Sequence, residues 1–297
     1  MNPAKVFLLT LTAMVAFASN SLLCRLALKQ TGIDAASFTC IRIVSGAIVL
    51  WLIVKLRPAA APVGASLTTS RKNRRPLQGN WPSAIALFTY AAAFSFAYIS
   101  LPAGTGALLL FGAVQATMIL WGLRKGERLH SLQIVGLLLA GAGLVVLLFP
   151  GLSAPPVGGS ILMLGAGVAW GIYSLRGKRG GDPTAATAGN FVRAVPLAIA
   201  LSIILLTSAR LDRAGIEYAV VSGSITSGLG YVIWYSALPG LKAAGAATVQ
   251  LSVPVLTAAG GILLLGENLT WRLLLAALLV LGGIALVVID RQPTRPQ

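Results

Sequence analysis

Apolar positions run along this chain in blocks of about 18 to 22 residues, separated by short polar turns. Blocks of that length are long enough to cross a bilayer core as helices. Ten spans are predicted, at about 6–28, 35–56, 82–101, 104–123, 131–149, 158–175, 185–208, 217–237, 244–265 and 271–289. The first run ends in Ala16-Phe17-Ala18-Ser19 and imitates a signal peptide. Its apolar character continues past Asn20 to Leu28, however, so it reads as a retained first helix. The long polar segment from Arg57 to Asn80 contains Pro58, Pro62, a Ser/Thr cluster and Arg71-Lys72-x-Arg74-Arg75. With no apolar periodicity it reads as a loop.

The pattern is written twice. Gly126-Glu127-x-Leu129 falls on Gly266-Glu267-x-Leu269 at an offset of 140, where Leu138-Leu139 meets Leu278-Leu279 and Gly143 meets Gly283. Tyr98-x-x-Leu101-Pro102 falls on Tyr235-x-x-Leu238-Pro239 at an offset of 137. The order of the matches carries the argument, since each alone is weak in so apolar a chain. Repeats of this kind point to a carrier built from two related halves, here residues 1–151 and 152–297.

Composition agrees with a membrane protein. Of 297 residues 57% are hydrophobic and 10% charged, and the mean hydropathy is +0.86. A soluble domain carries roughly a quarter charged residues. The net charge of +16 would suggest a nucleic-acid partner, but its placement argues for topology. With the N-terminus cytoplasmic, sixteen Lys and Arg residues fall in inside segments, four fall outside and three lie within spans. Both termini are then cytoplasmic. Cys24 and Cys40 lie inside apolar runs and make no disulfide framework. Five spans per half is an odd number, so the second half enters the membrane upside down, and a two-fold axis in the membrane plane relates the halves. The expected fold is an all-α membrane protein of ten transmembrane helices in two inverted five-helix repeats. It would work by alternating access around a site near mid-membrane.

The two five-helix halves, Ala16-Phe17-Ala18-Ser19-Asn20-Ser21 with its echo Ala169-Trp170-Gly171-Ile172-Tyr173-Ser174, the early arginines Arg42 and Arg193, and the paired Gly-Glu turns resemble the drug/metabolite transporter superfamily, in its ten-helix EamA-type branch. More narrowly, Asn20-Ser21-Leu22-Leu23-Cys24-Arg25-Leu26-Ala27 and the stretch from Tyr98 to Leu110 look like the YddG-type exporters of aromatic and other amino acids. The resemblance implies export of amino acids or related metabolites across the bacterial inner membrane, and the direction of transport comes from the resemblance alone.

Candidate chemistry is sparse. No Asp or Glu lies near the middle of a span, and His130 is placed in a turn, which favours facilitated movement or exchange over coupling through a buried acid. There is no phosphate-binding loop for ATP, and the reading calls for no cofactor, no metal and no nucleic-acid partner. The partners expected are a small-molecule substrate and lipid. Tyr90, Tyr98, Gln115, Trp170, Tyr173 and Gln250 are the candidate pathway residues, with Tyr231, Trp234 and Tyr235 nearby. Rings offer apolar walls and cation–π surfaces, and amides orient a polar end. Tyr98, Trp234 and Tyr235 are near enough to span ends to form an interfacial belt instead. Arg42 and Arg193 read either as an anion clamp or as structural residues that snorkel or bond helix-end carbonyls. Arg25, four residues from Lys29, reads as an interfacial anchor, and Asn20 and Ser21 as bonds between helices. Pro254, in the ninth span, is the expected hinge.

Two alternatives carry other chemistry. A carrier of phosphorylated or nucleotide-linked sugars would use Arg42 and Arg193 on phosphate. An intramembrane enzyme would lean on Ser222-Gly223-Ser224, but the membrane spans hold no histidine to act as its base.

Overall fold

The computed structural model describes residues 2–57, 77–126, 129–151, 154–177, 182–241 and 249–289, all helices and connections with no strand among them. Most of the basic loop expected over 57–80 lies outside the described residues, as do Glu127 and the start of the ninth span. The helices are α1 (Pro3–Gln30), α2 (Ala35–Leu56), α3 (Trp81–Tyr98), α4 (Ala103–Arg124), α5 (Ser131–Leu148), α6 (Val157–Gly177) and α7 (Pro183–Ile204). The eighth span is a composite of α8 (Arg213–Val221), a π-helical segment (Ser222–Leu229) and α9 (Gly230–Ala237). α10 (Ser252–Leu265) and α11 (Trp271–Ile289) complete the chain.

Seven of these, α1, α2, α4, α5, α6, α7 and α11, are long and apolar enough to cross a membrane on their own. Phe7, Leu8, Leu138, Leu263 and Leu278 are exposed on the perimeter. Side chains of this kind face lipid, whereas the backbone polar groups are satisfied within the helices. The protein is a multi-pass membrane protein.

Packing respects the repeat. α2 lies on α7 and α5 on α11, so each of these helices pairs with its own counterpart. α3 packs on α6, and its image, the composite span, packs on α1. α4 packs on α6, and its image α10 packs on α1. The seam of α5 and α11 shows the exchange at atomic scale. A Cβ at Gly143 would press on Val280, and one at Gly283 would press on Ala140, the residue 140 positions before Val280.

The connections are stapled by capping carboxylates. Asp34 Oδ1 accepts from the Ala36 and Ser37 amides at 2.9 Å each, while Oδ2 accepts from the Arg210 amide at 2.8 Å. One side chain thus starts α2 and ties the α1–α2 turn to the chain entering α8. Partial burial pushes the Asp34 carboxyl up, but its hydrogen bonds with Ser37, Arg210 and Ala36 together hold it below the ordinary Asp value. A depressed folded-state value stabilises the fold above the unfolded value, and the contribution is lost as pH falls through the folded one. Asp34→Ala is therefore expected to destabilise the protein by ~1 kcal/mol at neutral pH. Thermal melts of the two proteins at pH 7 and below pH 3 check this: the difference should shrink at the acid end.

Candidate substrate site

A cavity of about 340 Å³ lies between the halves. That is the size of a pocket for a small organic molecule. Its deep end is formed by Asn20 and Phe17 of α1, Tyr90 and Phe94 of α3, and Thr226 and Ser227 of the π segment. From there it runs past Gln115, Trp170 and Tyr231 to Gly177, Pro183, Leu238 and Gln250. Gly177, Pro183 and Leu238 stand at the ends of α6, α7 and α9 on the face where α1 begins, called here the near face, and Gln250 lies just before α10.

Aromatic rings make one continuous wall. Trp170 stacks on Tyr231 with ring centroids 5.2 Å apart and an interplanar angle of 26°. Tyr90 meets Trp170 at 4.8 Å and Phe94 at 5.4 Å, and Phe17 bridges Tyr231 and Trp234 at 5.8 and 6.1 Å. Offset and tilted pairs of this kind are the favoured geometries, and each holds its neighbour's rotamer. All the described residues lining the cavity are uncharged.

The polar floor is a small network. Asn20 Oδ1 accepts from Ser222 Oγ at 2.8 Å and from Thr226 Oγ1 at 3.2 Å, and its Nδ2 donates to the Tyr90 hydroxyl at 3.3 Å. Arg42, 2% exposed, donates from Nη2 to the same hydroxyl at 3.2 Å and from Nε to Ser227 Oγ at 3.4 Å. Its guanidinium carbon lies 5.4 Å from the centre of the Tyr90 ring and 5.0 Å from that of Phe94. Nη1 has no hydrogen-bond partner, and no carboxylate pairs with Arg42 among the described residues. The π segment makes this network possible. π turns cluster at functional sites because they displace side chains from the regular helical positions. Gly223 lets α2 come so close that a Cβ there would overlap the Arg42 carbonyl and the Ser45 hydroxyl.

The opposite, far face is sealed. Tyr98 is fully buried behind the cavity, edge-on to Phe94 at 4.7 Å, and its hydroxyl donates to the Ala103 carbonyl at 3.2 Å. Above it Arg25 Nε meets Glu267 Oε1 at 3.2 Å. Arg25 Nη1 also donates to the carbonyls of Tyr98 at 2.8 Å and Ile99 at 3.0 Å, at the C-terminal end of α3. Glu267 Oε2 accepts the Ala103 amide at 2.7 Å, at the N-terminal end of α4. Each charge therefore sits at the helix end of opposite partial charge. Gly266 supplies the turn that aims Glu267 inward: it ends α10 at φ +63°, a left-handed conformation that costs glycine little. Its repeat counterpart Gly126 also has a positive φ, +89°.

Among the residues singled out from the sequence, the structure brings Tyr90, Gln115, Trp170 and Gln250 to the cavity wall, and Asn20, Ser21, Tyr231, Trp234 and Tyr235 with them. Tyr173 stands behind Trp170 at 5.4 Å, its hydroxyl accepting from Asn190 Nδ2 at 3.5 Å. Tyr98 and Trp234 are buried and not placed at a surface belt. Arg193 is away from the cavity, with Nη1 donating to the carbonyls of Gln78 and Gly189. Pro254 is the third residue of α10. The expected interfacial role of Arg25 is corrected: it is 9% exposed and turns inward because Glu267 meets it there. Ser222 is tied to Asn20, and Ser224 donates to the Val220 carbonyl on the exposed side, so neither is set up as a nucleophile. Phe17, Phe94, Thr226 and Ser227 were not singled out. The small hydroxyl run Ser222 to Ser227 is the one legible signal for Thr226 and Ser227.

Comparison with known proteins agrees with this architecture. Residues 157–289 match the EamA-like transporter family. An uncharacterised protein of Pseudomonas aeruginosa is 55% identical over 291 residues, 98% of this chain and 97% of its own. An Escherichia coli protein described as a "probable amino-acid metabolite efflux pump" is 28% identical over 216 residues, 67% of this chain and 72% of its own. An uncharacterised transporter of Archaeoglobus fulgidus is 24% identical over 297 residues, 96% of this chain and 98% of its own. One solved crystal structure superposes with a TM-score of 0.62 at 19% identity, covering 98% of this chain and 99% of the other, a likeness of fold. Ten spans packed as inverted halves, a cavity between them and these matches together place the chain in the EamA-like transporter family, within the drug/metabolite transporter superfamily.

Proposed function

We propose that the protein is an alternating-access carrier that exports amino acids and related metabolites across the bacterial inner membrane. The observation that carries this is the aromatic-walled cavity between the two halves, continuous toward the near face and closed toward the far face by the Arg25–Glu267 pair. In this reading the near face is cytoplasmic, which places the basic loops and both termini inside. The structure then corresponds to the inward-facing state, and exchange of the two halves' arrangements generates the outward-facing one. The Escherichia coli relative's name points the same way. Transport is facilitative, because the described cavity wall has no carboxylate to carry a proton. The phosphorylated-sugar alternative has weaker support here, since Arg193 does not reach the cavity.

Uptake of labelled Trp, Phe, Thr and Met into proteoliposomes, with and without a pH gradient, tests this reading. Uptake to equilibrium without a gradient is expected. Trp170→Ala, which breaks the stacked wall, is expected to slow it ~10-fold through loss of ring contact with the substrate. Exchange of a phosphorylated sugar with no amino-acid uptake would transfer the assignment to the alternative.

A further inference from the structure

We infer that the cavity recognises its substrate by a carboxylate, through the Tyr90 hydroxyl with Arg42 behind it, and makes no demand for an ammonium group. This rests on the transport reading above and narrows its substrate class to apolar or aromatic carboxylates, with or without an amine.

A phenol has one proton to donate and two lone pairs to receive. The Tyr90 oxygen receives from Asn20 Nδ2 at 3.3 Å and from Arg42 Nη2 at 3.2 Å. Arginine can only donate, and Asn20 faces Tyr90 with its amine because its carbonyl oxygen takes the Ser222 hydroxyl at 2.8 Å; the single Thr226 proton is shared, at 3.2 Å from Asn20 Oδ1 and 2.8 Å from the Ser222 carbonyl. Both lone pairs of Tyr90 are thus engaged, and its proton is left for an acceptor in the cavity that Tyr90 lines. The guanidinium behind it withdraws charge from the phenol oxygen and makes that proton a stronger donor. A hydrogen bond from such a donor to a carboxylate is of the strong, charge-assisted kind.

Charge balance points the same way. Arg42 is buried with no anionic partner among the described residues, and its Nη1 is unbonded. A buried cation of this kind attracts an anion and repels a second cation across a medium of low dielectric. The described wall offers an ammonium only ring faces and neutral dipoles, with no carboxylate to pair it. Arg42 is a positioning residue here, acting through Tyr90.

Three indoles of similar size separate the groups: indole-3-propionate has the carboxylate alone, tryptophan has both groups, and tryptamine has the amine alone. Their binding to purified full-length protein is measured by isothermal titration. Indole-3-propionate is expected to bind within about threefold of tryptophan, and tryptamine ~10-fold or more weaker, the size of one charge-assisted hydrogen bond. Tyr90→Phe keeps the ring packed on Trp170 while removing the proton. It is expected to weaken both carboxylates ~10-fold and leave tryptamine unchanged. Tryptamine binding as tightly as tryptophan overturns the inference. So does an unchanged ratio in Tyr90→Phe, the result if Asn20 held the Tyr90 proton. Should that variant not fold, the wild-type ratio decides alone. Binding of none of the three overturns the transport reading as well, whereas tight tryptophan binding without discrimination overturns only the carboxylate rule.

Discussion

Glu267→Ala is expected to lower the thermal stability of the protein sharply and to open its far face. Removing one partner of a buried ion pair costs about 3–5 kcal/mol, because the other charge is left desolvated and alone. Here the loss is compounded. Glu267 also receives the first amide of α4, and Arg25 would keep only the Tyr98 and Ile99 carbonyls. The pair is what holds the ends of α1, α3 and α4 against the α10–α11 turn, so without it the far ends of these helices separate. Cys24 offers a native reporter. It is fully buried one residue before Arg25, and in a Cys40→Ser background it is the protein's one thiol. Its maleimide labelling is expected to rise ~10-fold or more in Glu267→Ala, since buried thiols are inert. Unchanged labelling together with an unchanged melting temperature would remove the pair from the gate.

The charge-reversed protein, Arg25→Glu with Glu267→Arg, sharpens the test. A simple attraction between opposite charges would be restored by reversal. The helix ends would not be: an acid would face the C-terminal carbonyls of α3, and a cation the N-terminal amide of α4. Reversal is therefore expected to stay open and unstable.

This gate also marks how far the sequence could be read. The glycine turns at Gly126 and Gly266, the ten spans and their inverted order are legible because hydrophobic blocks and positive-φ glycines are local signals. Tyr90, Gln115, Trp170 and Gln250 reach the cavity wall because polar and aromatic residues at mid-span have few other places to go. The partner of Arg25 is another matter. It lies 242 residues away, and near Lys29 an arginine looks like an interfacial anchor. The π segment is equally hidden, since a shift from 3.6 residues per turn inside an apolar span leaves the hydrophobic pattern intact. Without that shift nothing predicts that Ser222, Thr226 and Ser227 converge on Asn20 and Arg42.

Arg42→Met is expected to weaken carboxylate binding and transport ~10-fold or more while leaving the melting temperature unchanged or raised. The two effects move in opposite directions only if the arginine serves the substrate. A structural arginine holds its neighbours, and its loss lowers stability. Arg42 makes two long hydrogen bonds, 3.2 Å to Tyr90 and 3.4 Å to Ser227, and leaves Nη1 unbonded in a site 2% exposed. Against those bonds stands the desolvation of a full charge, several kcal/mol after relaxation. Methionine keeps most of the volume and packs softly against the rings of Tyr90 and Phe94, so little packing is lost. Replacing buried charged groups with apolar ones of similar volume is often neutral or stabilising by about 1–4 kcal/mol. With Arg42 gone the Tyr90 proton loses its polarisation and the cavity its positive field, a loss of ~10-fold or more in carboxylate affinity. Arg42→Lys is expected to rescue poorly, since an ammonium cannot span Tyr90 and Ser227 as the planar fork does. Melting curves and binding isotherms of the same preparations decide the matter: a melting temperature that falls in Arg42→Met with binding intact would make Arg42 a structural residue.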